Sequence, residues 1–317
     1  MAVPGTVFMF SGQGSQYFQM GRELYDRHAA FRSAVRRLDA MAHALLGRSP
    51  IEEAHRGEKS QNFDRLRYTH PAIFIIEHAL AECLMADDIV PDMTLGASLG
   101  TFAAASTAGF IEPEQALRTI IAQAEAVEAN CERGGMTAIV DDPVLFEDPF
   151  LRDRTTLSAV NFNRHFVVSA GPAILDDVEA ELRNRSVVHQ RLAVQYAFHS
   201  PWIDPAREEV DALLRALHVT SGRMPMACCA SATVHRNAFP SDHLWDVVRK
   251  PIRFSDTITR IEDEGPWRYI DVGPSGTLAT FAKYAVHPDS PSTTNAILTP
   301  FGRDVKNYEA LTGRNVA

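Results

Sequence analysis

Apolar positions fall into short continuous runs and longer helical stripes, and the two alternate along most of the chain. Residues 6–10 (TVFMF) form a buried-strand run that breaks at a glycine-rich turn over 11–16. A helix is expected from about Met20, and helical spacing recurs over 31–46 and again over 71–85, where Ile73, Ile76, Ala79, Leu80 and Cys83 mark one face. Residues 93–95 read as the end of a strand, 96–100 as a tight turn, and the small residues of 101–108 as a helix closed by Gly109. Glu112-Pro113 opens the next helix, because proline lacks only an N–H that the first turn leaves unpaired anyway. Its apolar stripe is Ala116, Leu117, Ile120, Ile121, Ala124 and Val127. Gln123 lies at the edge of that stripe, either paired locally or pointed into a cavity.

The pattern changes after Gly134-Gly135. Strands over 136–140, 155–161 and 166–170, a helix over 172–185 and a strand over 187–194 approximate a small ferredoxin-like α+β unit, with limits near 133 and 198. It is inserted in a larger α/β chain, 1–132 and 199–317. The second half continues with a helix over 202–217, a strand over 224–230, helices over 244–248 and 255–264, a strand over 269–272 and a helix over 278–284. The last fifteen or so residues read as a docked tail. Three strands end in glycine turns, with Gln13, Ser98 and Ser275 near them. In a parallel sheet the carboxyl ends of strands share one rim, so these turns are expected to converge.

Composition narrows the chemistry. A chain of 317 residues with 45% hydrophobic and 22% charged residues can bury a full core. Its net charge of −9, without a basic stripe, argues against a nucleic-acid partner, and an acidic protein partner would need a local basic patch. Cys83, Cys131, Cys228 and Cys229 show no C-x-x-C spacing, so reduced thiols in a cytoplasmic protein are expected, with neither a disulfide framework nor a zinc site. The stretch MAVPGTVFMFSGQGSQ lacks a basic region followed by a long apolar run, and no apolar run approaches about 18 residues. Neither export nor membrane insertion is expected.

The candidate chemistry centres on Ser98. In G-x-S-x-G the glycines let strand and helix backbones crowd together while the serine oxygen points into a cleft, and the strand-turn-helix context favours a nucleophile over an ordinary helix start. The turn around Gln13 lacks both the lysine of a phosphate loop and the third glycine of a dinucleotide fingerprint, which disfavours nucleotide binding. His199 precedes a proline-started helix at the junction of the two units, where clefts form.

Six motifs then occur together: FSGQGSQ at 10–16, GASLG at 96–100, NFN at 161–163, YAFHSP at 196–201, KPIRF at 250–254 and DVGPSGTL at 271–278. In their order and spacing, over roughly 5–300, they resemble the family of malonyl-CoA:acyl carrier protein transacylases and polyketide synthase acyltransferases. The tail AILTPFGRDVKN resembles that of stand-alone members acting in trans on polyketide assembly lines. The resemblance implies a large α/β-hydrolase-like subdomain with a parallel sheet plus the inserted ferredoxin-like subdomain. It implies Ser98 as nucleophile, His199 as its base, an oxyanion hole from the backbone amides of Gln13 and Leu99, and a backbone carbonyl near Arg253 that orients the histidine. It also implies no bound cofactor, a substrate carried on phosphopantetheine of an acyl carrier protein or CoA, and a monomer.

Two departures from the resembled pattern bear on substrate. The family usually has histidine before the nucleophile, where this chain has Ala97. Malonyl-transferring members have an arginine 25 residues after the serine, and counting from Ser98 reaches Gln123. An amide cannot replace a bidentate guanidinium, and a desolvated unpaired carboxylate costs on the order of several kcal/mol. The resemblance therefore implies a neutral acyl group such as acetyl. Ala97, Gln123, Asn161 and Phe198 are the candidate substrate contacts, a bulky residue such as Phe198 tending in the family to favour an unbranched group. With FMFSGQGSQYFQMG, these two departures resemble the stand-alone acyl hydrolase branch, which implies an enzyme that clears acyl groups from stalled carrier proteins. The alternative is a transacylase that loads a neutral acyl group, and the remote alternative an idle docking protein.

Overall fold

Two sheets organise the computed structural model, which describes residues 4–316. The strands in chain order are β1 Gly5–Phe10, β2 Met93–Gly96, β3 Gly135–Val140, β4 Thr156–Phe162, β5 His165–Ala170, β6 Val188–Arg191, β7 Met226–Cys228, β8 Thr233–His235, β9 Ile252–Arg253, β10 Trp267–Asp271 and β11 Thr293–Ala296. The larger sheet runs β11-β10-β1-β2-β7-β8, parallel throughout except for the β7–β8 hairpin at one edge.

The run TVFMF is apolar without alternation because β1 is central and covered on both faces. Successive side chains point to opposite faces. Phe8 and Phe10 enter the core on one side, with Ile73 and Phe102, while Val7 and Met9 enter a second core with Leu95, Phe254 and Tyr269. Helix Leu66–Ala86 is buried along nearly all of its length and packs on helices Ala29–Leu46, Gly100–Ala108 and Pro113–Asn130.

The second sheet has the order β6-β3-β5-β4-β9. Its first four strands and helix Pro172–Asn184 reproduce the expected ferredoxin-like unit, with Leu175, Val178 and Leu182 of the helix packed on Ile139, Phe166 and Val168. Gly134 donates its amide to Gln195 at 3.0 Å where the chain enters and leaves this unit. The expected limits of 133 and 198 nonetheless miss part of the sheet. β9 pairs parallel with β4 from 252–253, so the KPIRF segment stitches the second half of the chain onto the small sheet.

Other differences have local causes. The helix expected over 202–217 is a 3₁₀ turn, Pro201–Ala206, followed by helix Arg207–Arg215, because Pro205 has no N–H for the α ladder. β8 and β11 are short and partly exposed, and so carry no apolar run to read. The tail does dock: helix Asp304–Thr312 donates the Tyr308 hydroxyl to Asp87 at 2.7 Å, and Arg314 reaches Asp88 at 2.6 Å. The outermost residues of the larger unit, 1–3 and 317, lie outside the described residues. Among the described residues no helix is long and apolar enough to cross a membrane.

Candidate active site

The register of β1 with β2 pairs Phe10 with Gly96, so the turns that follow the two strands lie side by side. Ser98 sits at φ 53°, the left-handed conformation of a strained strand-to-helix turn. A Cβ at Gly100 would collide with the Phe10 carbonyl, and one at Gly12 would stand 2.7 Å from the Ser98 Cβ. Glycine at these two positions is what lets the Gln13 turn lie directly against the serine. Beneath that turn, Glu77 accepts from the Ser11 amide at 2.7 Å and its hydroxyl at 2.9 Å. Burial first raises the Glu77 carboxyl well above its ordinary value.

His199 begins the second half of the larger unit, just past the small one, also in a left-handed conformation, at φ 59°. Its Nε2 lies 2.8 Å from the Ser98 Oγ and its Nδ1 2.7 Å from the Lys250 carbonyl oxygen. A carbonyl can only accept, so Nδ1 carries the proton and Nε2 is left to accept from the serine hydroxyl. Only 2% of His199 is exposed. Burial, opposed by the Lys250 hydrogen bond, lowers its pKa to about 4. The expected orienting carbonyl near Arg253 is therefore that of Lys250. Arg253 is turned away: its guanidinium pairs with Asp256 at 2.7 Å, its amide donates to Cys229, and its carbonyl accepts from Thr257.

A cavity of about 140 Å³ opens on this pair. Gln13, Ala97, Ser98, Leu99, Asn161, Phe198 and His199 all line it, so most of the predicted site residues converge. Among the described residues neither the Gln13 nor the Leu99 backbone amide has a protein acceptor, and both adjoin Ser98 through Gly12 and the elbow. Asn161 is 3.0 Å from His165, and the Phe198 carbonyl accepts from Ser169 at 2.7 Å, which fixes the stretch before His199. Ser275, expected on the same rim, does not line the cavity, although Thr277 and Leu278 just beyond it do.

Gln123 does not line the cavity either. It is wholly buried in helix Pro113–Asn130, and neither of its amide atoms has a partner among the described residues. His70 and Phe198, with ring centroids 5.7 Å apart, both form part of the cavity wall. Sequence reasoning passed over His70. It is 2% exposed, neither ring nitrogen has a partner among the described residues, and burial lowers it to about 3, so it is neutral. A polar residue inside the apolar face of helix Leu66–Ala86 was the available signal.

Among the described residues no Asp, Glu, Lys or Arg lines the cavity. Its three histidines, His70, His165 and His199, are all pushed toward the neutral form, by burial first in each case. The site thus offers hydrogen bonds and apolar surface without a cation.

The cysteines are free, but Cys228 is not isolated as its spacing suggested. The sequence reading saw no partner histidines because they stand 7 and 15 residues on. The β7–β8 hairpin and helix His243–Arg249 bring Cys228, His235 and His243 together, with ligand atoms within 4.8 Å of one another.

A serine in a strained turn after a parallel strand, hydrogen-bonded to a histidine held by a carbonyl and flanked by two free amides, is an arrangement suited to acyl transfer through a serine ester. The sequence matches the acyl transferase domain family over residues 7–317, and the chain belongs to that family. It is 41% identical over 308 residues to the polyketide biosynthesis acyltransferase homolog BaeD of Bacillus velezensis, covering 96% of this chain and 95% of that protein. It is 38% identical over 308 residues to the homolog PksD of Bacillus subtilis, with the same coverage. Among solved structures, the acyltransferase domain from the second module of the salinomycin polyketide synthase superposes with a TM-score of 0.84 at 27% identity. That match covers 100% of this chain and 75% of the other.

Proposed function

We propose that this acyltransferase-family enzyme works in polyketide biosynthesis by forming an acyl ester on Ser98 from acyl thioesters, then releasing neutral groups such as acetyl from acyl carrier proteins by hydrolysis. The observation that carries the choice of acyl group is a cavity that, among the described residues, no charged side chain lines. A malonyl carboxylate there would be desolvated with no cation, at a cost on the order of several kcal/mol that an acetyl group avoids. The names of the relatives support the polyketide context.

In the first step the Ser98 Oγ attacks the thioester carbonyl carbon and its proton passes to His199 Nε2. The carbonyl oxygen becomes an oxyanion facing the Gln13 and Leu99 amides, donors that need no reorganisation at the moment of reaction. Collapse breaks the carbon–sulfur bond, and His199 returns the proton to the departing phosphopantetheine thiol. In the second step His199 takes a proton from water, the water oxygen attacks the acyl ester, and Ser98 leaves as a hydroxyl with the carboxylic acid. Lys250 fixes the imidazole tautomer in both steps. No bound cofactor enters either step.

Acetyl-pantetheine added to the protein, quenched and weighed intact, should show one acetyl group on the Ser98 peptide. Ser98→Ala should show none. An acetylated Ser98→Ala protein would remove the nucleophile assignment.

A further inference from the structure

We infer that Cys228, His235 and His243 form a zinc-binding site behind the nucleophile elbow, apart from the cavity that Ser98 faces. Cys228 closes β7, and the antiparallel pairing of β7 with β8 puts it opposite Thr233. His235 stands two residues further along β8 and therefore projects from the same face as Thr233. The first residue of helix His243–Arg249 brings its imidazole over that face. The His243 Nε2 is already 3.3 Å from the Cys228 Sγ. With Zn–S of about 2.3 Å and Zn–N of about 2.0 Å, neighbouring ligand atoms in a tetrahedron lie about 3.5 Å apart, so this pair is at coordinating separation. The rings of His235 and His243 stand 4.9 Å apart at 61°. The His235 ring also packs on Phe239 at 5.0 Å, and among the described residues its one side-chain hydrogen-bond contact is a long 3.5 Å one to Thr233, which an ion can replace.

One thiolate and two imidazoles are a donor set that selects zinc over magnesium or calcium. Burial, then the neighbouring His243, keeps His235 neutral, and burial does the same for His243. Zinc takes sulfur as thiolate, so uptake of the ion displaces the Cys228 proton to solvent as the zinc–sulfur bond forms. Cys228 is buried while both histidines are partly exposed, which gives the ion a way in and leaves a fourth position for water. Because Cys228 pairs with Gly96 of β2, the ion would clip the hairpin and helix to the strand that ends at Ser98.

Full-length protein freed of metal by a chelator and titrated with Co(II) should bind one ion, with thiolate-to-cobalt charge transfer in the near ultraviolet that Zn(II) abolishes. Cys228→Ser should lose that absorption. His235→Gln, at a partly exposed position that leaves the fold intact, should weaken binding by more than the roughly tenfold that loss of an outer hydrogen-bond partner costs. Absence of the charge-transfer band in the wild-type protein, or unchanged titrations in His235→Gln, would overturn the proposal.

Discussion

Turnover of an acetyl thioester, followed against pH, reads the environment of His199. In water an imidazole titrates near 6.5, and here burial brings it to about 4. At about 1.4 kcal/mol per pH unit, the site holds the imidazolium about 3 kcal/mol above its solution level. Above pH 4 the ring is therefore neutral and can accept the Ser98 proton. At pH 5.5 kcat/KM should retain nearly all of its plateau, whereas a histidine with an ordinary pKa would leave about a tenth. An acid limb centred near 6.5 would refute the argument that burial, with only the Lys250 carbonyl opposing it, sets the base. Activity is the right readout because stability mixes opposing groups. The folded-state pKa of His199 is depressed, so its contribution is complete above 6.5 and is lost as pH falls toward 4. Asp271 is raised by burial to about 6 from 3.8, so its effect runs the other way: stability rises as pH falls through that window. The two are each about 3 kcal/mol in size, and burial shifts His70, His235, Asp304 and Glu77 as well, so the melting temperature sums opposing contributions.

Gly12→Ala places a methyl group 2.7 Å from the Ser98 Cβ and must displace one of the two turns. A shift of about 1 Å costs roughly a hundredfold in kcat, and steady-state kinetics beside an unchanged far-ultraviolet circular dichroism spectrum would check it. Gln123→Arg puts a guanidinium where the wild-type amide already lacks partners among the described residues. Thermal unfolding should show a loss of about 3 kcal/mol or more, because the guanidinium is buried without an acceptor behind the cavity wall. An unchanged melting temperature would mean that the arginine escapes to water.

Much of this was legible from the residues. The central strand β1 announced itself because burial on both faces leaves a continuous apolar run, and the glycine turns that follow β1, β2 and β10 marked the rim. Ser98, Gln13 and His199 could be read because strand-turn-helix context and glycine spacing are local. β9 was not, since a two-residue strand at the edge of another unit carries no periodic signal. Lys250 escaped for a similar reason: it acts through a carbonyl, which every residue has, while its ammonium pairs with Asp246 at 2.7 Å. The Cys228 cluster depends on a hairpin and a helix folding together, so no fixed spacing reveals it. Gln123 fits neither expectation, a local pair or a place in the cavity wall: it is buried, outside the lining, and among the described residues its amide has no partner, because helix packing and not its position in the stripe decides what it faces.

The account stands or falls on a cavity that takes neutral acyl groups and passes them to water. Acyl carrier proteins bearing acetyl, longer acyl and malonyl groups should be offered to the purified protein, with free acid and acyl transfer both measured by mass spectrometry. Rapid release of acetate with little malonate is the predicted result. Rapid malonyl transfer would contradict the reading of the uncharged cavity, and efficient acetyl transfer to a second carrier with slow release to water would contradict the hydrolase.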